Sequence, residues 1–499
     1  MQGRVARGFL WTILDVWGRQ LLNLVVFIVL ANLLVPEDFG LVALAAVFVA
    51  FAQVVVDQGL GDALIQRREV RPEHIDTAFW TAVGTGLLLT GIGQLVAGPA
   101  AALLATPRLE EILRVLSLTF VLSAMTNIQM ALLRRQLAFR SLAIRTFLAV
   151  AAGGTAGIAL ALADYGAWAL VGQQLVAALV SVATLWWVLP WRPSRRFSGA
   201  AFRELYAFGV RVVGSDVLTF LSRNTDNLLI GIVLGIEPLG LYAVGYRILE
   251  TTQQLLISIT RKVTFPALAS LQADPGRMLR AFFRLSRAGA TVIMPGYVAM
   301  ALVAPELTVV LFGPRWGESG VVAAILFLSG PVLSIRAFSG PLLYAAGAPG
   351  SFLRFQLISA MANIVGFVIA VPFGIAAVAA AFTIRGYLLL PVNLIFLRVY
   401  AGVPIGDYLR QLRGVAFATA AMATVMLGIR ILFGAEFSNW GLVVVAAIAG
   451  GLSYVGALWL LDGALLGELL GVARDVIPGR RRRDTHAAAR ERPADPADD

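Results

Sequence analysis

The chain has 499 residues, 59% of them hydrophobic and only 14% charged, with mean hydropathy +0.82. A soluble globule of this size would wrap its core in far more charge, so most of this surface faces lipid. The absence of cysteine excludes disulfides and thiolate metal sites, and the net charge of +11 is almost wholly arginine, with Lys262 the sole lysine.

Apolar periodicity and length place membrane spans at 8–33, 39–60, 77–98, 111–132, 143–163, 167–190 and 206–234. They continue at 240–262, 281–303, 319–345, 354–371, 375–397, 412–433 and 441–462. Glycine and proline inside these runs are compatible with helix, because lipid forces backbone polar groups to be satisfied within the segment. The N-terminus places Arg4 and Arg7 before an apolar run, as a signal peptide does. Asp15 and Arg19 interrupt that run and no small-x-small site follows, so it reads as a retained first span.

The connecting loops sort by charge. One set carries Arg67, Arg68 and Arg71, then Arg134, Arg135 and Arg140, then Arg192, Arg195 and Arg196, and ends with the run at 480–483. The alternate set holds Glu37, Asp38, Asp164, Glu237 and Glu436, with Arg108 and Arg315 as exceptions. The positive-inside rule then puts both termini in the cytoplasm and requires an even number of spans. About fourteen fits an all-α integral membrane protein; twelve is the alternative, with two weak spans re-entrant or lying on the surface. The arginines lie between apolar segments, which makes them topogenic rather than a nucleic-acid surface.

The chain also repeats itself. LLVPEDFGLVAL at 33–44 returns as VLGIEPLGLYAV at 233–244, pairing Glu37 with Glu237 and Gly40 with Gly240. Pro107 and Arg108 pair with Pro314 and Arg315, and Asp164-Tyr165-Gly166-Ala167 pairs with Pro372-Phe373-Gly374-Ile375. Three echoes in order, at offsets near 200–208, indicate two copies of a six-helix unit. An even helix count leaves both copies pointing the same way, related by an axis along the membrane normal. The expected organisation is a first lobe at 1–190, a cytoplasmic linker at 191–205, a second lobe at 206–397, an extra helix pair at 398–462 and a disordered basic tail at 463–499. In the linker, Ser198 either caps a short surface helix or sits in an ordinary charged loop. Duplicated membrane units are the usual construction of secondary transporters, with the path between the copies, so transport is the expected class.

Charges within spans cost at least ~2.5–3.5 kcal/mol each and need a partner or a wet cavity. Arg19, Arg223 and Arg385 fall near mid-membrane, Arg336 and Arg247 to either side of it; Asp15, Asp216, Asp226 and Glu250 oppose them. Asp15 with Arg19, Arg223 with Asp226, and Arg247 with Glu250 are spaced to pair within one helix face. Two readings follow: self-neutralised pairs that fix packing, or a hydrated cavity in which arginine takes phosphate bidentately. Arg336 and Arg385 have no acid at helical spacing, which makes them the stronger ligand candidates. Asn23, Gln53, Asn127, Gln129, Gln173, Gln174, Asn224, Asn227, Gln253 and Gln254 also lie in spans and together suit a sugar-lined path. Arg277, Arg280, Arg284 and Arg287 form a stripe after an Asp274-Pro275 helix start, either topogenic or a cytoplasmic gate for diphosphate headgroups. No phosphate-cradling loop, metal-ligand cluster or nucleophile–base pair points to an enzyme, a metal or a cofactor.

PEDFGL at 36–41, ALIQR at 63–67, LRRQLAFR at 133–140, SRNTDNLLIG at 222–231, GLYAVGYRI at 240–248 and FPALASLQ at 265–272 resemble the polysaccharide (O-antigen and exopolysaccharide) flippases. These belong to the multidrug/oligosaccharidyl-lipid/polysaccharide exporter superfamily. The resemblance runs along most of 1–430 and carries over no binding residue. It implies two six-helix bundles plus an extra pair, like the multidrug exporters, around a central cavity in a bacterial inner membrane. It also implies an undecaprenyl-diphosphate-linked oligosaccharide as substrate, moved from the cytoplasmic to the periplasmic leaflet by alternating access. Membrane lipids and a polysaccharide polymerase or export machinery are the implied neighbours. Coupling to protons or sodium would fall to Asp226, Glu250 or Asp15. The rivals are an ion-coupled multidrug or organic-cation antiporter, which wants a cavity of acids and aromatics, and a membrane glycosyltransferase or polymerase, which wants long extracytoplasmic loops.

Overall fold

The computed structural model describes residues 2–57, 59–67, 69–434 and 436–476. These residues form α-helices with two short 3-10 turns, and no strand occurs among them. In chain order come α1 (Gln2–Leu33), α2 (Pro36–Asp57), α3 (Leu60–Gln66), α4 (Pro72–Leu103), α5 (Arg108–Arg135), α6 (Phe139–Leu162) and α7 (Ala167–Val188). After an irregular segment follow α8 (Gly199–Val233), α9 (Ile236–Ala269) and α10 (Pro275–Phe312). The expected span at 319–345 is divided into α11 (Gly317–Phe327), α12 (Gly330–Arg336) and α13 (Ser339–Ala345), with a bend of 41° between α11 and α12. The chain closes with α14 (Pro349–Ala370), α15 (Ile375–Leu388), α16 (Leu390–Ala401), α17 (Ile405–Phe433) and α18 (Asn439–Val476).

Among the described residues, 10 helices are long and apolar enough to cross a membrane, or up to 11 if the bent pair counts as one span. The charge-bearing helices α1, α8 and α9 are 32, 35 and 34 residues long, against the roughly 20 a span requires. Helix starts follow local chemistry. Asp274 Oδ1 accepts from the Arg277 amide at 2.9 Å with Pro275 in the first turn, and Ser198 Oγ accepts from Ala201 N at 3.3 Å. Ser198 therefore is a cap, but of α8 itself: no separate surface helix intervenes, and α8 runs unbroken out of the expected linker. At the far end, α18 continues past the expected limit at 462, across a non-helical Asp462, to Val476. Of the expected tail, residues 477–499 lie outside those described.

Contacts divide by sequence. α4 packs on α5, α6 on α7 and α1, and α5 on α7; α10 and α9 pack on α11, α15 on α11 and α14, and α8 on α14. α17 and α18 pack on each other and on α10, tied by ion pairs from Glu306 to Arg430 at 2.7 Å and from Arg287 to Asp462. The main bridge between early and late helices is α2 against α9. At their starts the backbones touch. A Cβ on Gly40 would fall 1.8 Å from the Ile236 carbonyl oxygen, and one on Gly240 would fall 1.9 Å from that of Pro36. The repeat-related glycines thus face each other in a reciprocal contact that no side chain could enter. Around it the α1–α2 turn is bound to the α10–α11 turn. Asn32 Nδ2 donates to Leu311 O at 2.7 Å, Trp316 Nε1 to Ala31 O at 2.9 Å and Arg315 Nη1 to Leu34 O at 3.1 Å. Phe39 and Trp316 meet edge to face with ring centroids 5.2 Å apart.

The opposite end, which carries the irregular segment before α8, is held by polar contacts instead. Asp76 accepts from the Ser194 amide at 3.1 Å and from its hydroxyl, and Thr77 Oγ1 accepts from Ser198 N at 3.0 Å. Arg67 pairs there with Glu204 and contacts the ring of buried His74. We call these the turn end and the linker end.

Candidate functional site

Among the described residues, two cavities with polar groups in their linings lie between these ends. The first, about 480 Å³, brings together Arg223 of α8, Arg336 of α12 and Arg385 of α15. Among the described residues no carboxylate lines it; Gln356, Asn393, Ser339 and Tyr344 supply its other polar groups. Bends deliver these arginines. Arg336 ends α12 at the break before α13, so its helix stops inside the bundle, and Arg385 lies in the last turn of α15.

The two deeper guanidinium groups are held by their planes rather than by acids. Arg336 Cζ sits 4.9 Å from the Phe355 ring centroid and Arg385 Cζ 5.0 Å from that of Phe382, contacts in which the ring quadrupole attracts the cation. Arg385 Nη1 also donates to Ser359 Oγ at 3.1 Å, while its Nε has no partner among the described residues. Neither arginine makes an ion pair among the described residues. Among the described residues no carboxylate pairs with either group, which leaves their cavity-facing Nη donors for an anion.

Arg223 does not take Asp226, although the spacing allows it. Asp226 is buried and turns to Tyr242, whose hydroxyl donates to Oδ2 at 2.8 Å, and to the Asn227 amide at 2.9 Å. Arg223 stays exposed in the cavity wall. Arg247 and Glu250 do pair, at 3.6 Å. Arg19 is half-buried, its Nε has no partner among the described residues, and it lines neither cavity; the side chains of Asp15 and Asp216 lie outside those described. Arg277, Arg280 and Arg284 are exposed on the first turns of α10, apart from both cavities.

The second cavity, about 440 Å³, lies toward the turn end between α1, α2, α6, α7 and α9. Its polar groups are Asn23, Gln173, Gln174 and Arg247, set among Phe27, Phe39 and small residues. Sequence reasoning missed Gln356 and Asn393 of the arginine cavity. Asn393 was visible as a polar residue inside the span at 375–397; Gln356 sits so near the start of its span that it reads as interfacial. Metal-type clusters of three or more His, Asp or Glu side chains are absent among the described residues.

The comparisons agree with this architecture. A family model described as polysaccharide biosynthesis protein matches residues 29–321. The succinoglycan biosynthesis transport protein ExoT of Rhizobium meliloti is 28% identical over 479 residues, covering 94% of this chain and 96% of that protein. Among solved structures, lipid II flippase MurJ in an inward closed conformation superposes with TM-score 0.73 at 13% identity, over 92% of this chain and 100% of its own. A multidrug resistance MATE family transporter of the MOP superfamily, inward-facing, gives TM-score 0.58 at 16% identity, over 77% and 94%. At these identities the two structures speak to the fold alone.

Proposed function

The chain belongs to the polysaccharide biosynthesis protein family, and from that premise we propose that it is a flippase for polyprenyl-diphosphate-linked oligosaccharides. It carries repeat units from the cytoplasmic to the periplasmic leaflet of the bacterial inner membrane for surface polysaccharide synthesis. It is a transporter, not an enzyme. The observation that carries this reading is the cavity lined by Arg223, Arg336 and Arg385, with no carboxylate among its described lining residues. A diphosphate needs several cationic donors in a place shielded from bulk water, and guanidinium groups meet phosphate oxygens bidentately. An organic-cation site would need the opposite charge.

In this account the linker end and both termini are cytoplasmic, and α1, α8 and α9 also cross the bilayer, for fourteen spans. Residues 1–190 and 206–397 act as two lobes, and 398–462 as an appended pair. The sealed glycine contact then closes the periplasmic side. The arginine cavity receives the diphosphate while the polyprenyl tail stays in lipid, and rocking of the lobes parts α2 from α9 and opens the other face. Arg19 and Arg247 flank the headgroup's route, and Arg277, Arg280 and Arg284 gather anionic headgroups at the cytoplasmic surface. Buried Asp226, hydrogen-bonded to Tyr242, is the site for a coupling proton or sodium, with Glu250 and Asp15 as secondary carriers. The polymerase or export machinery takes up the flipped unit. Deleting the gene tests the assignment: unflipped lipid-linked oligosaccharide should accumulate in the cytoplasmic leaflet and surface polymer should fall. Unchanged levels of both would refute it.

A further inference from the structure

We propose that the cavity lined by Asn23, Gln173 and Gln174 is a sugar subsite, which reads the neutral, hydroxyl-bearing part of the headgroup while the arginine cavity holds the diphosphate. This rests on the lipid-linked oligosaccharide reading above and divides its recognition between two places.

The three amides come from two helices, α1 and α7, and converge on one cavity with Arg247 of α9. None of the three makes a hydrogen bond among the described residues, and none of their side-chain polar atoms is sealed from solvent. Amides placed for helix packing are satisfied by the neighbouring helix; these are open. Each offers one acceptor and two donors, the complement of a sugar hydroxyl, which both gives and takes. The position of Gln173 is set by close packing: a Cβ on Gly153 would come 2.6 Å from its carbonyl oxygen, and one on Gly157 3.0 Å from its Cβ. Its amide is thus offered from a backbone that cannot retreat toward α6.

Charge separates this cavity from its neighbour. Its one cation, Arg247, is offset by Glu250 at 3.6 Å, so the lining has no uncompensated charge to attract phosphate. Phe27 and Phe39, with rings 5.8 Å apart, add apolar faces of the kind that pack against the C–H face of a pyranose ring. The cavity, about 440 Å³, falls in the range of small-molecule sites.

The test uses the purified full-length protein and two lipids: undecaprenyl diphosphate, and undecaprenyl-diphosphate-linked oligosaccharide extracted from cells lacking this protein. Wild type should bind the glycosylated lipid more tightly. Asn23→Leu, Gln173→Leu and Gln174→Leu should each cut that preference by roughly tenfold, the loss of a ligand hydrogen bond with its amide left unmatched. Arg336→Ala should weaken both lipids alike and leave the preference intact. Gln174 is the most exposed of the three, so its variant tests the proposal even if the others fold poorly. A wild type without preference, or a preference unchanged in the Gln174 variant, overturns the sugar subsite and leaves the flippase reading standing. A wild type that binds neither lipid overturns the flippase reading, and the subsite with it.

Discussion

The seam between α2 and α9 and the arginine cavity are opposite solutions to one problem, how two helical units meet inside a membrane. At the seam, Gly40 and Gly240 bring backbone against backbone, surrounded by Trp316, Phe39 and Tyr242. In the cavity the helices break or bend away, and Arg336 and Arg385 occupy the space with aromatic planes behind them. Close packing without side chains gives a joint with few intermediate positions: it is either shut or apart. A cavity lined by long, unpaired side chains adapts to a ligand. A transporter of bulky headgroups needs both, the first as a seal and the second as a grip.

The largest effect should come from the seal. Gly40→Leu places carbon where the Ile236 carbonyl stands, and overpacking against backbone costs about 1–3 kcal/mol or more. Surface polymer should disappear while membrane-inserted protein persists. Because the chain has no cysteine, an Asn32→Cys/Leu311→Cys pair offers a reversible version: oxidation should arrest export and reduction restore it. Export that continues with the pair fully cross-linked would mean that this joint never opens.

Next in size is Asp226→Asn, which keeps the acceptor for Tyr242 but removes the charge. If Asp226 couples transport to the membrane potential, worth about 2.3 kcal/mol per charge per 100 mV, export should fall by more than tenfold and lose its response to uncouplers. An unaltered response would assign Asp226 to packing alone. On the cavity side, Arg385→Lys retains charge but loses the planar fork and its seat over Phe382. We expect about a tenfold weaker transport at low substrate, read as a rise in the half-saturating lipid concentration. The smallest effect belongs to the exposed stripe: changing Arg277, Arg280 and Arg284 together to Gln should slow uptake only a few-fold, and only at low ionic strength, because exposed charges act through a field that salt screens.

Much of the seam was legible in the chain. The pairing of PEDFG with IEPLG placed Gly40 and Gly240 at equivalent positions of the repeat, but that the two would touch is seen only in the structure. The helices followed from hydropathy, since lipid leaves no other choice for long apolar segments. The cavity was only half legible. Arg336 and Arg385 stood out because no acid lay one turn away, but the i,i+3 spacing of Arg223 and Asp226 suggested a pair that does not form. Tyr242, on the next helix, offers Asp226 a buried donor, and local spacing carries no information about the facing helix. The same holds for α8: the charged residues from Arg195 to Glu204 read as a boundary, yet Ser198 caps a helix that continues into the bundle, with Glu204 neutralised by Arg67 of a distant loop. The division of the span at 319–345 was written in Gly330-Pro331 and Gly340-Pro341, where proline removes an amide and glycine weakens the turn, but nothing local says that the break would carry Arg336 into a cavity.

The grip itself is tested most directly in proteoliposomes, by following how fast lipid-linked oligosaccharide added to one leaflet becomes accessible from the other. Wild-type protein should accelerate this exchange, and the Arg336→Ala/Arg385→Ala double variant, inserted at the same density, should fall to the protein-free rate. Exchange by the double variant at the wild-type rate would contradict the assignment of these arginines to the headgroup.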